Sequence, residues 1–313
     1  MELSLSLAEQ IASMVLISVA GFIVTYFKVL SAEDSGIISK VCVYIIIPCS
    51  LINAFQTELS PDRLSGFLIA LIAGILIHAL FLIVTKLFDF TPIKLDNVEK
   101  ASIIYNNSGN LIIPLVAGTL GTEYIFYTSA YIVVQNLLVW SHGVIIMGGG
   151  KANFKKIIAN PCMISIFIGI TLFVCQIRII GPVGIAISNT ASCIGPLSML
   201  MVGMMLGNQN LKEVFSNYRA YGITFIRLIL YPALTMIILL TIDKLWIHSD
   251  MENVLLVSLF CAIGPAAAVV TQQAQLYDNP KKIYVSSINI VSTVLCAITM
   301  PIMTILFQYL LKI

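Results

Sequence analysis

Charge is scarce in this chain. Only 10 % of its 313 residues are charged and 59 % are hydrophobic, whereas soluble domains carry about 25 % charged residues. A water-soluble globule is excluded, and lipid is the expected solvent. Lys and Arg are too few and too scattered to track a phosphate backbone, which removes nucleic acid as a partner. The cysteines (42, 49, 162, 175, 193, 261 and 296) all fall in apolar runs, form no CxxC and share no metal-ligand spacing with histidine. They read as small hydrophobes, and no metal or other cofactor is expected. No Asp or Glu lies at mid-depth of an apolar run, so neither a carboxylate proton relay nor a carboxylate sodium site is evident. No nucleophile pairs with a base inside a run, which argues against an enzyme. The chain begins MELSLSLAEQ, with no basic leader and no small-residue cleavage site, so its first run is expected to be a retained helix.

What the chain has in abundance is long apolar runs. A bilayer core ~30 Å thick takes about 20 apolar residues per helix. Ten runs qualify, at 8–30, 37–55, 65–88, 98–120, 122–147, 157–176, 181–207, 219–242, 252–276 and 283–310. With ten spans both termini share one side. Placing them outside puts twelve Lys/Arg residues at cytoplasmic ends and leaves only Arg63, Arg178, Lys244 and Lys312 opposite, with Arg227 inside run 8. That asymmetry obeys the positive-inside rule. A multi-pass protein of the cell membrane (inner or plasma), with termini extracellular or periplasmic, is the expectation.

The chain also repeats itself. Run 2 carries Pro48-Cys49-Ser50-Leu51 and run 7 carries Pro196-Leu197-Ser198-Met199, while run 4 carries Pro114 and run 9 Pro265. These pairs are offset by 148 and 151 residues, so a five-run unit occurs twice. Five is odd, and the second copy is therefore inverted in the membrane. The fold expected is an all-α polytopic membrane protein: ten transmembrane helices in two inverted five-helix repeats, 1–147 and 157–313, joined by a short cytoplasmic linker at 148–156.

Interruptions in runs 4 and 9 carry the chemistry. Run 4 reads Tyr105-Asn106-Asn107-Ser108-Gly109-Asn110, then Pro114; run 9 reads Gly264-Pro265-Ala266-Ala267-Ala268, then Thr271-Gln272-Gln273 and Gln275. Unpaired polar groups in lipid cost several kcal/mol, so such segments are tolerated only under protein or beside a wet cavity. The helix is expected to unwind near Gly109 and restart at Pro114, which lacks an N–H. Inversion then aims two half-helix N-termini at each other. Each carries free N–H groups and about +0.5 of charge, which makes an anion site without Lys or Arg. The candidate substrate-binding residues are Asn106, Asn107, Gly109, Asn110, Pro114, Asn136, Gly264, Pro265, Ala266, Thr271, Gln272 and Asn289. Gln135-Asn136 in run 5 and Asn289 with Ser292-Thr293 in run 10 are further polar positions, which also suit interhelical packing. Ion-coupling candidates are His78, Ser292 and Thr293. Arg227 is expected to snorkel or to pack against helix ends.

These patterns resemble the auxin efflux carrier family, within the bile-acid/sodium symporter-like transporters, and are similar to its short bacterial members known as malate or malonate permeases. The family pattern Asn-x-Gly-x-x-Gly-x-Pro is met by Asn107, Gly109 and Pro114, with Ile112 in place of the second Gly. Asn160-Pro161, Tyr231-Pro232, Gly264-Pro265-Ala266-Ala267, Ser292-Thr293 and Thr299-x-Pro301 agree in the same order. The resemblance implies an elevator-like secondary transporter in which runs 1, 2, 6 and 7 form a scaffold, through which two copies pair as a homodimer. Crossed runs 4 and 9 hold the substrate. The long cytosolic loop common in plant members is missing after run 5, so a small carboxylate other than auxin is expected. An anion channel and a sodium-coupled organic-anion symporter are the alternatives, with H+ or Na+ as the coupling ion.

Overall fold

The computed structural model describes residues 2–148, 150, 155, 158–207 and 211–312. Most of the expected linker at 148–156 lies outside the described residues, as does the side chain of Gln275. Among the described residues all regular structure is helical. We number the principal helices α1 (Glu2–Tyr26), α2 (Asp34–Ala54), α3 (Pro61–Phe90), α4 (Asn97–Ile104), α5 (Ser108–Thr119), α6 (Thr122–Ile146), α7 (Pro161–Val174), α8 (Gly181–Gly207), α9 (Tyr218–Leu245), α10 (Met251–Ile263), α11 (Ala268–Leu276) and α12 (Lys282–Leu311). Six of them, α2, α3, α6, α8, α9 and α12, are long and apolar enough to cross a bilayer. The apolar part of α1 (Ala12–Tyr26), α5, α7 and α10 is shorter. For α5 and α10 the reason is a break in the chain: run 4 is divided into α4 and α5, and run 9 into α10 and α11.

Prolines account for most of the irregular turns. Wide turns with i→i−5 bonding span Cys42–Ile46, Ser108–Ile112 and Ile226–Leu230. Each ends two residues before a proline: Pro48, Pro114 and Pro232. A proline ring obstructs the carbonyl four residues back and offers no N–H. That carbonyl belongs to Tyr44, Asn110 or Leu228, the middle residue of each wide turn, so local widening takes the helix past the obstruction. A fourth wide turn, Val139–Gly143 in α6, precedes no proline. Its cause is tertiary, because the Leu138 carbonyl accepts from Tyr105 Oη (3.1 Å) and the Val139 carbonyl from Gln273 Nε2 (3.1 Å).

The helices pack in two groups. In one, α1 lies along the second half of α8, and α2 packs on α7 and on the first half of α8. Contact between α1 and α8 is backbone to backbone: a Cβ at Gly203 would collide with the Ser18 carbonyl, one at Gly21 with the Leu200 carbonyl, and one at Gly207 would stand 2.7 Å from the Phe22 oxygen. Lipid offers no hydrophobic drive between helices, so small residues that permit such approach hold them together. In the other group α3 packs on α6 and α10, and α9 on α10 and α12. Phe55, Phe126 and Phe173 join α2, α6 and α7, with centroids 5.1 Å apart for Phe55–Phe126 and 5.0 Å for Phe126–Phe173.

Candidate functional site

The two chain breaks meet. After Ile104 the backbone becomes extended at Tyr105 (φ −97°, ψ 131°), and after Ile263 it does so at Gly264 (φ −60°, ψ 157°). The extended pieces run antiparallel: Asn107 N–H donates to the Pro265 carbonyl and Ala267 N–H to the Tyr105 carbonyl, both at 3.0 Å. Asn106 and Ala266 stand opposite each other in this bridge. In such a pair the facing residues exchange no bonds, so their own N–H and C=O point outward. Left bare in a membrane interior, these four groups would cost several kcal/mol.

Side chains of α6 and α12 take all four. Gln135 donates from Nε2 to the Asn106 carbonyl (2.9 Å) and accepts the Asn106 N–H at Oε1 (3.3 Å). On the other side Asn289 Nδ2 donates to the Ala266 carbonyl (2.7 Å) and Ser292 Oγ accepts the Ala266 N–H (3.1 Å). The Asn106 side chain closes the crossing by donating to Tyr131 Oη (2.7 Å) and to the Cys261 carbonyl (2.5 Å).

The helix ends entering the breaks are capped by Arg227. Its side chain is fully buried on the wide turn of α9 and does not snorkel. Nε donates to the Gly264 carbonyl (2.9 Å) and Nη1 to the Ile103 carbonyl (3.2 Å), so one guanidinium holds the C-terminal ends of both α10 and α4. Packing against helix ends is therefore the outcome of the two expected for this residue. The Phe81 ring covers it, 5.5 Å from centroid to Cζ.

The helix starts leaving the breaks face a small cavity. Asn107 heads α5 and Ala268 heads α11, and both line it with Asn289 and Thr293 against Met201 and Met205 of α8. Its volume is ≈ 10 Å³, about the room one water needs. A second cavity of ≈ 440 Å³ adjoins it between α1, α5, α8 and α12, sharing Val202, Leu206 and Thr293. That one is walled almost entirely by apolar atoms and offers a charged group little to bind.

The crossing thus gathers Asn106, Asn107, Gly264, Pro265, Ala266, Asn289, Ser292 and Thr293. Unwinding falls at 105–107 rather than at Gly109, because the bridge and Gln135 supply partners for the backbone there; Gly109 lies inside the wide turn that follows. Asn110 and Thr271 are buried farther along α5 and α11, each with a side-chain oxygen that has no partner among the described residues, and Pro114 lies beyond Asn110. Asn136 adjoins Gln135, and its amide nitrogen has no such partner either. Gln272 is exposed and donates to Ser39 Oγ of α2 (3.3 Å). His78 sits one layer out: Nδ1 is 2.7 Å from the Gly74 carbonyl, and its ring packs 4.6 Å from that of Tyr131.

Sequence reasoning missed Tyr131, the Tyr105–His142 pair (2.8 Å) and Glu99. The Glu99 carboxylate is buried where α4 begins, held by Arg219 Nε and Nη2 and by Tyr284 Oη (2.7 Å), and it joins α4, α9 and α12. The signal for it was Asp96-x-x-Glu99, a capping box in which Asp96 N–H donates to Glu99 Oε2 (2.9 Å) and Glu99 N–H to Asp96 Oδ1 (2.9 Å).

Long apolar helices around unwound backbone whose bridge groups are taken by side chains are features of multi-pass membrane transporters. The family model described as "Membrane transport protein" matches residues 6–156 and 150–304, and the chain belongs to that family of auxin efflux carrier-type membrane transporters. It is a family of transporters, not of enzymes. No curated protein matches the chain.

Proposed function

We propose that the chain is a secondary carrier that moves a small organic anion, a carboxylate, by an elevator-like motion. The observation that carries this reading is the cavity headed by Asn107 and Ala268, where two half-helices begin. Helix starts present free N–H groups and positive partial charge, and the Asn107 and Asn289 amides beside them are further donors for a carboxylate. In the conformation described, the cavity admits a water and no carboxylate, so substrate enters when the crossing moves against Met201 and Met205 of α8. The two packing groups support such a motion: α1, α2, α7 and α8 make a scaffold, and the remaining helices make the body that carries the crossing.

In the same reading the chain crosses a cell membrane ten times as two inverted units, 1–147 and 157–313, with both termini outside and 148–156 inside. The antiparallel bridge accords with inversion, since it joins the interruption of run 4 to that of run 9 with the two chains running in opposite directions. Two copies pair through the scaffold. A carrier is favoured over a channel because Asn106 and Ala266, with their side-chain clamps, fill the centre of the crossing.

The test is a thermal-shift screen of the purified protein against mono- and dicarboxylates and their neutral amides, followed by exchange of labelled substrate in proteoliposomes. Ligand that binds only the folded state raises the melting temperature. Carboxylates should stabilise, amides should not, and flux should saturate and show exchange. Stabilisation by amides as strong as by acids, or flux without exchange, would overturn the reading.

A further inference from the structure

We infer that Arg227 is a resident cation, standing where the crossing would otherwise need a bound metal cation, so that the carrier works without sodium. Two helices, α4 and α10, end at the crossing, and each C-terminus carries about −0.5 of charge on free carbonyls. Two such ends converging inside a membrane make about one negative charge. Carbonyl ends of this kind are what transporters use to coordinate Na+. Here the Gly264 and Ile103 carbonyls are taken by Nε and Nη1 of one guanidinium.

Among the described residues no carboxylate pairs with that charge. The ion pairs there are Lys100–Asp89, Arg219–Glu99, Lys281–Asp96 and Lys282–Asp278, with His248 Nε2 also 3.5 Å from Asp62, and none involves Arg227. Around it stand the Phe81 ring, Tyr131, Tyr231, Cys296 and His78, and its Nη2 has no hydrogen-bond partner among the described residues. The positive charge of Arg227 and the negative charge of the two helix ends answer each other. This leaves the helix starts at Asn107 and Ala268 as the uncompensated pole of the crossing, which suits an anion. Guanidinium does not titrate in the accessible range and cannot dissociate, so this counter-charge travels with the crossing in every cycle.

The experiment uses melting of the purified full-length protein in NaCl, KCl and choline chloride at equal ionic strength, for wild type and for Arg227→Lys, Arg227→Met and Arg227→Ala. Wild type should melt alike in all three salts. Arg227→Ala should melt lower by roughly 5–10 °C, as expected for uncompensated buried carbonyl ends. It should recover part of that loss in about 20 mM guanidinium, far below denaturing levels. If Arg227→Ala does not fold, the other two variants decide: Lys keeps the charge and should be more stable than Met. A wild-type protein stabilised specifically by Na+ would overturn the inference, and so would Arg227→Met as stable as Arg227→Lys. The inference rests on the crossing being the carrier's working site only for its consequence in transport. A wild type indifferent both to Na+ and to every carboxylate keeps Arg227 as resident cation while removing the substrate assignment.

Discussion

The two breaks solve one backbone problem with different chemistry. At 105–107 the chain brings its own polar side chains: Asn106 reaches Tyr131 and Cys261, and Asn107 faces the cavity. At 264–267 the residues are Gly, Pro, Ala and Ala, and side-chain polarity is imported, from α12 through Asn289 and Ser292 and from α9 through Arg227. Support is unequal as well. One residue, Gln135, serves both the N–H and the C=O of Asn106 and also donates to Ser108 Oγ (2.8 Å), whereas two residues divide the same work at Ala266. The first break therefore depends on a single side chain, and the second is distributed.

The largest expected effect follows from that inequality. Gln135→Leu leaves three buried groups without a partner, and at about 1–3 kcal/mol for each orphaned group it should destabilise by roughly 3 kcal/mol or more. Asn289→Leu orphans only the Ala266 carbonyl and should cost about 1–3 kcal/mol, with Ser292→Ala at the lower end. Melting of the three variants in one detergent checks the order. If Asn289→Leu is the most damaging, the second break is the dependent one and the comparison reverses.

Second in size is a loss of binding without a loss of fold. Asn107→Ala removes an amide from the cavity wall, and among the described residues the hydrogen bonds of Asn107 run through its backbone. Affinity for the stabilising carboxylate should fall tenfold or more, about 1.4 kcal/mol, at an unchanged melting temperature. Titration calorimetry on the purified variant reads the affinity. Near-normal binding would move the site from the first break toward Asn289 and Thr293.

What the sequence made legible follows from which atoms do the work. Pro114, Pro265 and the Asn cluster at 106–110 are residue signatures, and they pointed to both interruptions. Arg227 was conspicuous as an ionisable residue in an apolar run, yet its partners are the carbonyls of Ile103 and Gly264, and a carbonyl leaves no mark in sequence. The choice between Gln135 and Asn136 was illegible for a geometric reason. Neighbours on a helix point about 100° apart, and in a helix enclosed by protein both directions meet polar or apolar surroundings that pattern alone does not distinguish. The break itself fell before Gly109 because long-range partners, the bridge and Gln135, decided where the backbone opens, and local helix-breaking tendency did not.

Proline substitution sharpens the comparison at intermediate size. Pro265 lies in the bridge and gives its carbonyl to Asn107, while Pro301 lies inside α12, away from the crossing. Pro265→Ala frees the start of α11 to rewind and should slow exchange several-fold more than Pro301→Ala, measured in proteoliposomes matched for protein content. Equal slowing would mean that both prolines merely bend packed helices.

The smallest effects are expected at the two glycines, and they separate backbone need from substrate need. A methyl at Gly109 would meet only Ile47 Cδ1 at 3.4 Å, an ordinary contact, whereas one at Gly264 would stand 3.1 Å from Ile112 Cδ1 and 3.3 Å from Cγ1. Gly264 has φ −60°, a value any residue adopts, so the conflict there is with Ile112 and not with the backbone. Gly264→Ala should cost no more than about 1 kcal/mol, since Ile112 has a flexible end that can turn away. Gly109→Ala, lying in a helical turn, should be neutral or stabilise by up to about 1 kcal/mol through the unfolded chain. Melting temperatures give these signs, and exchange rates give the rest. If Gly109→Ala melts like wild type and still loses exchange, the added methyl obstructs something other than protein. The substrate then passes along α5 beyond Asn107, and the first break is the side of the crossing on which it travels.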